Sequence, residues 1–130
     1  YRLPIRVYIE DTDAGGIVYY VNYLKYFERA RTELIRSLGV DKTAVMEDGS
    51  VFVVTSASIN YHAPARLDDQ LESVAEVVSI GAATIEFRQS VVRSGIELAT
   101  GQAMVALTDG TSGKPKRMPK GLRELLTLSA

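Results

Sequence analysis

The first residues of the chain alternate between apolar and polar side chains, which is typical of a half-buried strand. The alternation runs over residues 4–10 and predicts one strand there. It ends in the segment 11–16, where Gly15 and Gly16 are free to adopt positive φ angles. We therefore expect a strand that leads into a tight turn.

From Asn22 onward the apolar positions recur at steps of three and four. This spacing predicts a helix of about 17 residues with a broad apolar face, which needs a sheet to pack against. Asn22 is a favourable N-cap, and Gly39 is typical of a helix end. The apolar stripe comprises Tyr23, Phe27, Ala30, Leu34 and Leu38, widened by Leu24, Tyr26 and Ile35.

The second half of the chain is typical of strands joined by short turns, with Ser94-Gly95 as a hairpin signal. Because the helix lies between the first strand and this meander, the pattern predicts an α+β fold with the helix on one sheet face. The predicted strands are residues 51–61, 71–78, 84–93 and 98–107. A loop or helical turn is predicted for residues 41–49, capped by Asp41, and a terminal helical turn for residues 121–128.

Length and composition restrict the classes of protein that fit. The chain has 130 residues and a mass of 14.2 kDa, which predicts a single domain over residues 1–130. Fifteen Lys and Arg balance sixteen Asp and Glu, which argues against a dedicated nucleic-acid binder or a polybasic membrane anchor. The absence of cysteine excludes disulfides, thiol nucleophiles and thiolate metal sites, and a single histidine argues against a His-based zinc site.

No apolar run approaches the ~18 residues that a membrane span needs, and no charged-then-apolar leader opens the chain. The expectation is therefore a cytoplasmic protein without a membrane span.

The densest chemical signal is the acidic segment that contains Glu10, Asp11 and Asp13. A calcium loop that starts at Asp11 would need an oxygen ligand at its fifth position and Glu at its twelfth, which are Gly15 and Asn22 here. Mg²⁺-dependent phosphoryl chemistry would need a further acidic pair late in the chain and a parallel sheet, and neither is evident. No metal site is therefore expected.

Acyl chemistry without a metal is the third interpretation. A carboxylate such as Asp13 can act as a nucleophile or as a general base toward water. The N–H groups at a helix N-terminus can stabilise the oxyanion that develops, and the helix starts close by, at Tyr20 to Asn22. The competing interpretation is that Asp11 and Asp13 only stabilise a turn, and spacing alone supports both equally.

The segment 7–19, followed by Asn22-Tyr23 and the run 27–33, resembles the 4-hydroxybenzoyl-CoA thioesterase family. Its Asp-Thr-Asp-Ala-Gly-Gly run is the most specific part of that resemblance. Within the family the sequence is most similar to the acyl-CoA thioesterases associated with the bacterial Tol-Pal system. Residues 61–69 and 116–119 match the same pattern, so the resemblance covers nearly the whole chain.

The resemblance implies a hotdog fold, in which a curved antiparallel sheet wraps one long central helix. It also implies a homodimer that continues the sheet across subunits, often paired into a homotetramer, with active sites at the dimer interface. The implied substrate is an acyl-CoA thioester, with no cofactor. A protein partner in lipid synthesis or envelope maintenance is implied by the family name alone.

Carried over by position, the catalytic carboxylate of the family is Asp13, and the backbone N–H that polarises the thioester carbonyl is near Tyr20. Relatives usually carry histidine at this second position. A phenol, which titrates near 10, cannot replace an imidazole as a proton shuttle at neutral pH. A backbone donor does not depend on the side chain, so the departure weakens a histidine mechanism and leaves the Asp13 mechanism intact.

Other residues are weaker candidates for substrate binding. Arg66, Lys116 and Arg117 suit the phosphates of coenzyme A, although a basic surface cluster is as often merely solvated. Tyr19 and Asn22, at the helix entry, are further candidates for contact with the acyl group, as are Tyr20 and Tyr23, although Tyr23 suits the core better.

Two more residues define alternatives. Glu28 is the fallback catalytic acid, because a second branch of hotdog thioesterases places its acid on the helix, although a charged helical face explains it too. The lone histidine, His62, is expected at a partly exposed strand end rather than in a hydratase site. The sequence thus predicts an acyl-CoA thioesterase, with a non-catalytic acyl-CoA or acyl-carrier binding module as the alternative and a hydratase as the third interpretation.

Overall fold

The computed structural model of the protein describes residues 1–40 and 46–130. The loop predicted for residues 41–49, with Asp41 as its cap, therefore lies mostly outside the described residues, and only its turn at residues 46–49 is seen. The strands are β1 (Arg2–Arg6), β2 (Ser50–Tyr61), β3 (Gln70–Ile80), β4 (Thr84–Arg93) and β5 (Ile96–Asp109), and the helices are α1 (Asn22–Ser37) and α2 (Lys120–Ser129).

The five strands form one antiparallel sheet in the order β1-β3-β4-β5-β2. Helix α1 packs against β1, β3 and β4, and α2 packs against β3. The predicted α+β arrangement, with the long helix on one face of the sheet, is therefore confirmed. Within the described residues, neither helix is long and apolar enough to cross a membrane.

The first strand is shorter than its sequence pattern predicts, because it ends at Arg6. Residues Ile9–Asp11 instead form one turn of 3-10 helix, and the Asp11 carboxylate accepts the Tyr8 N–H at 2.9 Å. Ile9 is 76 % exposed, so its place in the alternating pattern does not reflect burial. The local carboxylate contact competes with the sheet and ends the strand early.

The start of α1 also differs from its prediction. Asn22 is the first residue of the helix and not its cap, and its side-chain amide donates to the Asp11 carbonyl at 2.8 Å. The preceding residues already turn in 3-10 fashion, since the Asn22 N–H donates to the Tyr19 carbonyl at 2.9 Å. Asn22 therefore ties the helix start to the acidic segment.

The core between α1 and the sheet depends on a close contact between a phenylalanine ring and a glycine. Phe27 is fully buried on the apolar face of α1, and Gly101 of β5 lies beneath its ring. A Cβ at Gly101 would lie 2.8 Å from Phe27 Cε2 and 2.3 Å from the Ser58 carbonyl oxygen of β2. The missing side chain at this position lets helix and sheet meet.

Strand β2 forms an edge of the sheet and is covered by little else in the described part of the chain. It pairs with β5 along one side, with a bulge between Val54 and Ser56, and its other side has no strand partner in the described residues. Residues 53–58 are exposed without alternation, including Val53 and Val54 at 43 % and 46 %. A long edge with exposed valines is a surface for pairing with another chain.

Candidate active site

The acidic segment folds back on the residues that lead into α1. The Asp13 N–H donates to the Ile17 carbonyl at 3.0 Å, and the Tyr19 N–H donates to the Asp11 carbonyl at 2.9 Å. Thr12 and Val18 form a bridge between these two bonds. This short ladder fixes the position of Asp13 relative to the start of the helix.

The Asp13 carboxylate lies at the exposed tip of this ladder. Its Oδ1 accepts the Gly15 N–H at 2.9 Å, and its backbone carbonyl accepts the Gly16 N–H at 3.1 Å. Gly16 has a φ of 75°, which a residue with a Cβ would adopt only at a cost. Among the described residues Oδ2 has no hydrogen-bond donor, so one carboxylate oxygen is free for chemistry.

At the start of α1, the Tyr20 N–H has no acceptor among the residues that the structure describes. The Tyr20 carbonyl, in contrast, accepts the Tyr61 hydroxyl at 3.0 Å. A phenol is protonated at neutral pH and can donate this bond, and burial raises the pKa of Tyr61 further. The backbone at Tyr20 is therefore held in place while its N–H stays free to donate to a ligand, as the resemblance requires.

A cavity of about 390 Å³ opens beside Tyr20, within the size range of ligand sites. The rings of Tyr20 and Tyr61 meet edge to face on its wall, with centroids 6.1 Å apart, and Tyr61 packs on Tyr23 at 5.3 Å. Asp13 does not line this cavity within the single chain. Its lining residues are Ile17, Val18, Tyr20, Tyr23, Tyr61, His62, Ala63 and Pro64.

Sequence reasoning placed His62 correctly at an exposed strand end but did not place it beside Tyr20. Its Nε2 lies 2.8 Å from the Thr100 hydroxyl on the neighbouring strand. Tyr61, which positions the Tyr20 backbone, was not predicted as a site residue either. Both residues belong to the run 61–69, which resembles the same family as the acidic segment. That shared resemblance was the only signal in the sequence that could have linked them to the site.

Tyr19 and Asn22, two predicted substrate-binding residues, do not line the cavity beside Tyr20. Tyr19 is 46 % exposed and packs on Tyr20, with ring centroids 4.9 Å apart, but does not line the cavity. The amide of Asn22 is already used in its bond to Asp11, which gives this residue a structural task.

Arg66 lies near Asp13, because its backbone bridges Ile17 at the other side of the ladder. Its backbone N–H donates to Asp69 Oδ2 at 2.8 Å, while its side chain is exposed. Asp69 in turn pairs with Arg93 at 2.6 Å. The Arg66 guanidinium therefore remains a candidate for phosphate contact at this end of the fold.

Lys116 and Arg117 lie at the opposite end of the fold. Lys116 pairs with Asp48, with Nζ and Oδ2 2.9 Å apart, just before β2 begins at Ser50. The Ser50 hydroxyl, followed by the Lys116 ammonium, holds the pKa of Asp48 well below its usual range. Strand β2 separates this pair from Tyr61 by its 12 residues, a length of roughly 35 Å. One chain therefore does not bring Lys116 and Arg117 to the Asp13 loop.

Glu28, the fallback acid, is exposed on α1 and lines a second, smaller cavity together with Arg31. It lies apart from Asp13, which is in the loop before the helix. Within residues 1–40 and 46–130, no three His, Asp or Glu side chains come together as potential metal ligands.

Comparison with known proteins identifies the family of the chain. The family model of the thioesterase superfamily matches residues 15–100. The acyl-CoA thioester hydrolase YbgC of Escherichia coli O6:H1 is 40% identical over 123 residues, which are 94% of this chain and 92% of that protein. The acyl-CoA thioesterase YbgC of Haemophilus influenzae is 41% identical over 124 residues, which cover 95% and 91% of the two chains.

Among solved structures, a probable thioesterase from Bartonella henselae superposes with a TM-score of 0.86 at 32% identity, covering 92% of this chain and 98% of that one. The predicted hotdog fold and the predicted thioester hydrolase are both confirmed at the level of the family. On the matched family model and on relatives that cover nearly its whole length, the chain belongs to the thioesterase superfamily.

Proposed function

We propose that the protein is an acyl-CoA thioesterase that hydrolyses an acyl-CoA thioester to a free carboxylic acid and coenzyme A. The observation that carries the proposal is that Asp13 Oδ2 and the Tyr20 backbone N–H, neither of which has a hydrogen-bond partner among the described residues, belong to two segments joined by the short ladder. Two relatives named as acyl-CoA thioester hydrolase and acyl-CoA thioesterase support this choice of substrate.

In the proposed reaction, the Tyr20 N–H donates a hydrogen bond to the thioester carbonyl and stabilises the negative charge that develops on its oxygen. Asp13 either attacks the carbonyl carbon, giving an acyl-enzyme that water then hydrolyses, or takes a proton from the water that attacks. The thiolate of coenzyme A leaves and takes up a proton. No metal is required by either route.

An acyl-CoA panel tests the proposal through release of free thiol. Saturated acyl-CoAs of increasing length, one enoyl-CoA and one aromatic acyl-CoA are each mixed with the protein, thiol is measured with a colorimetric reagent, and the enoyl absorbance is followed in parallel. We expect release above the uncatalysed rate with at least one class. Binding of acyl-CoA without any thiol release would instead support the non-catalytic binding module, and loss of enoyl absorbance without thiol would support a hydratase.

We further propose that two copies pair through β2, which continues the sheet across a homodimer. The support is the uncovered edge of β2 and its exposed Val53 and Val54. In an antiparallel pairing about a two-fold axis, the Ser50 end of one strand meets the Tyr61 end of the other. Lys116 and Arg117 of one copy would then approach the Asp13 loop of the second, where coenzyme A phosphates would lie.

Substitution of Val54 by lysine tests this pairing. A charged side chain at the middle of the edge disfavours strand addition, so Val54→Lys should shift the protein toward the monomer. Val54→Thr, which keeps a β-branched side chain at the same place, is the matched control and should associate like the wild type. Sedimentation velocity measures both, and a Val54→Lys protein with wild-type association would contradict the β2 interface.

Pairing into a homotetramer, a cytoplasmic location and a partner in lipid synthesis or in the Tol-Pal envelope system stay predictions from the sequence.

A further inference from the structure

A second cavity, of about 120 Å³, lies between α1 and the sheet. Its walls are mostly apolar, and its polar lining comes from α1 alone. The volume is well below the ~300 Å³ at which complete small-molecule sites begin, so it suits one end of a ligand. The lining comprises Glu28, Arg31, Thr32 and Ile35 of α1 and Phe52, Val54, Phe87 and Val105 of the sheet.

Arg31 is held in this cavity by a buried relay. Its Nη1 donates to Gln89 Oε1 at 2.8 Å, and Gln89 Nε2 donates to the Phe27 carbonyl at 2.9 Å. Gln89 is only 2 % exposed, so the relay cannot exchange readily with water. Gln89 thus orients the Arg31 guanidinium on the cavity wall, as supporting residues orient the ligand-contacting residues of binding sites.

The charge of Arg31 has no direct counterion in the described part of the chain. Its one hydrogen bond there goes to the neutral amide of Gln89, although a guanidinium carries five N–H donors. Burial lowers the pKa of Arg31, and this effect is larger than that of the Glu28 charge, which raises it. A cation partly removed from water without a paired anion is unfavourable, so an anion in the cavity would stabilise it.

We infer that Arg31 binds the far end of the acyl group and selects acyl-CoA thioesters that end in a carboxylate. This specificity rests on the proposed thioesterase function. Arg31 lies eleven residues after Tyr20, which is about 16 Å along a helix, and helical side chains lean back toward the N-terminus. Selection should therefore be strongest for a long acyl chain that follows α1, and absent for short ones.

Two series of acyl-CoAs test this, matched in length and ending either in a methyl group or in a carboxylate. The measured quantity is the ratio of kcat/KM values, carboxylate over methyl, at each length. In the wild type the ratio should rise to a maximum at the length that reaches Arg31. Arg31→Gln should lower that maximum by roughly 10- to 100-fold, the range of one charge-assisted hydrogen bond, with the methyl series little changed. Arg31→Lys should give an intermediate ratio.

Three outcomes would overturn the inference: a wild-type ratio that never exceeds its short-chain value, a ratio unaffected by Arg31→Gln, or an equal loss in both series. The last would mark Arg31 as a structural residue. Calorimetric binding of the same pairs to Asp13→Asn needs no turnover and gives the same ratio. A preference seen in binding while the wild type releases no thiol would contradict the proposed function and leave the Arg31 site supported.

Discussion

Asp13→Asn should lower kcat for thiol release by roughly 10²- to 10⁴-fold while acyl-CoA still binds. An amide is neither a base nor a nucleophile at neutral pH, so either proposed role of Asp13 is lost. The loop should keep its shape, because the amide oxygen of asparagine can accept the Gly15 N–H as Oδ1 does now. Steady-state kinetics with the best substrate of the panel gives kcat, and calorimetry gives the binding.

Glu10→Gln is the matched control for this variant, because it makes the same change of carboxylate to amide in the same acidic segment. The Glu10 side chain is exposed and makes no hydrogen bond to a described residue, so its variant should turn over like the wild type. Glu28→Gln completes the set. Near-wild-type kcat in Asp13→Asn, with loss in Glu28→Gln, would overturn the Asp13 assignment and place the acid on α1.

The sequence predicted the helices and strands well, because burial determines the spacing of their apolar residues. The step of three and four that follows Asn22 matches the buried face of α1 except at Leu24, which is 40 % exposed. The strand-like segments match β2 to β5 to within a few residues. Where local hydrogen bonding competes with burial, the pattern fails. The Asp11 carboxylate turns the chain after β1, and the amide of Asn22 contacts Asp11 instead of capping the helix.

The candidate site was predicted where it is local in sequence and missed where it is not. Asp13 and Tyr20 are seven residues apart, and the ladder between residues 11–13 and 17–19 that joins their segments is what a turn before a helix predicts. The bond from Tyr61 to Tyr20 joins residues 41 positions apart, and no period in the chain encodes it. For Arg31 the sequence carried only a weak signal of a functional role. The residue lies one turn after Phe27 on the buried side of α1, where a charged side chain is unusual.

The positions of the basic residues show a different limit of prediction from the sequence. Arg66, Lys116 and Arg117 were grouped as phosphate ligands by residue type and by the family resemblance of their segments, without any information on their distance from one another. The structure separates Lys116 from Arg66 along the length of β2, and Asp48 already pairs with the lysine. In the proposed dimer a second copy of the chain would reunite them, and that pairing depends on the exposed edge of β2 rather than on any motif.

Gly101→Ala should lower the free energy of unfolding by about 1–3 kcal/mol or more, the usual cost of overpacking a core. The new Cβ would lie 2.3 Å from the Ser58 carbonyl oxygen and 2.8 Å from Phe27 Cε2. The Phe27 ring can give way, but Ser58 is part of the β2 backbone that pairs with β5. Relief therefore requires the edge strand to move, and denaturant unfolding measures the resulting loss of stability.

Gly121→Ala is the control, because no atom lies within 4 Å of the Cβ that it adds at the start of α2. Alanine is the better helix former, so this variant should be as stable as the wild type or up to about 1 kcal/mol more stable. A second variant separates the two clashes at Gly101. Phe27→Leu combined with Gly101→Ala removes only the ring contact, so it should not restore stability. Recovery in that double variant would show that the ring, and not the β2 backbone, makes glycine necessary where helix and sheet meet.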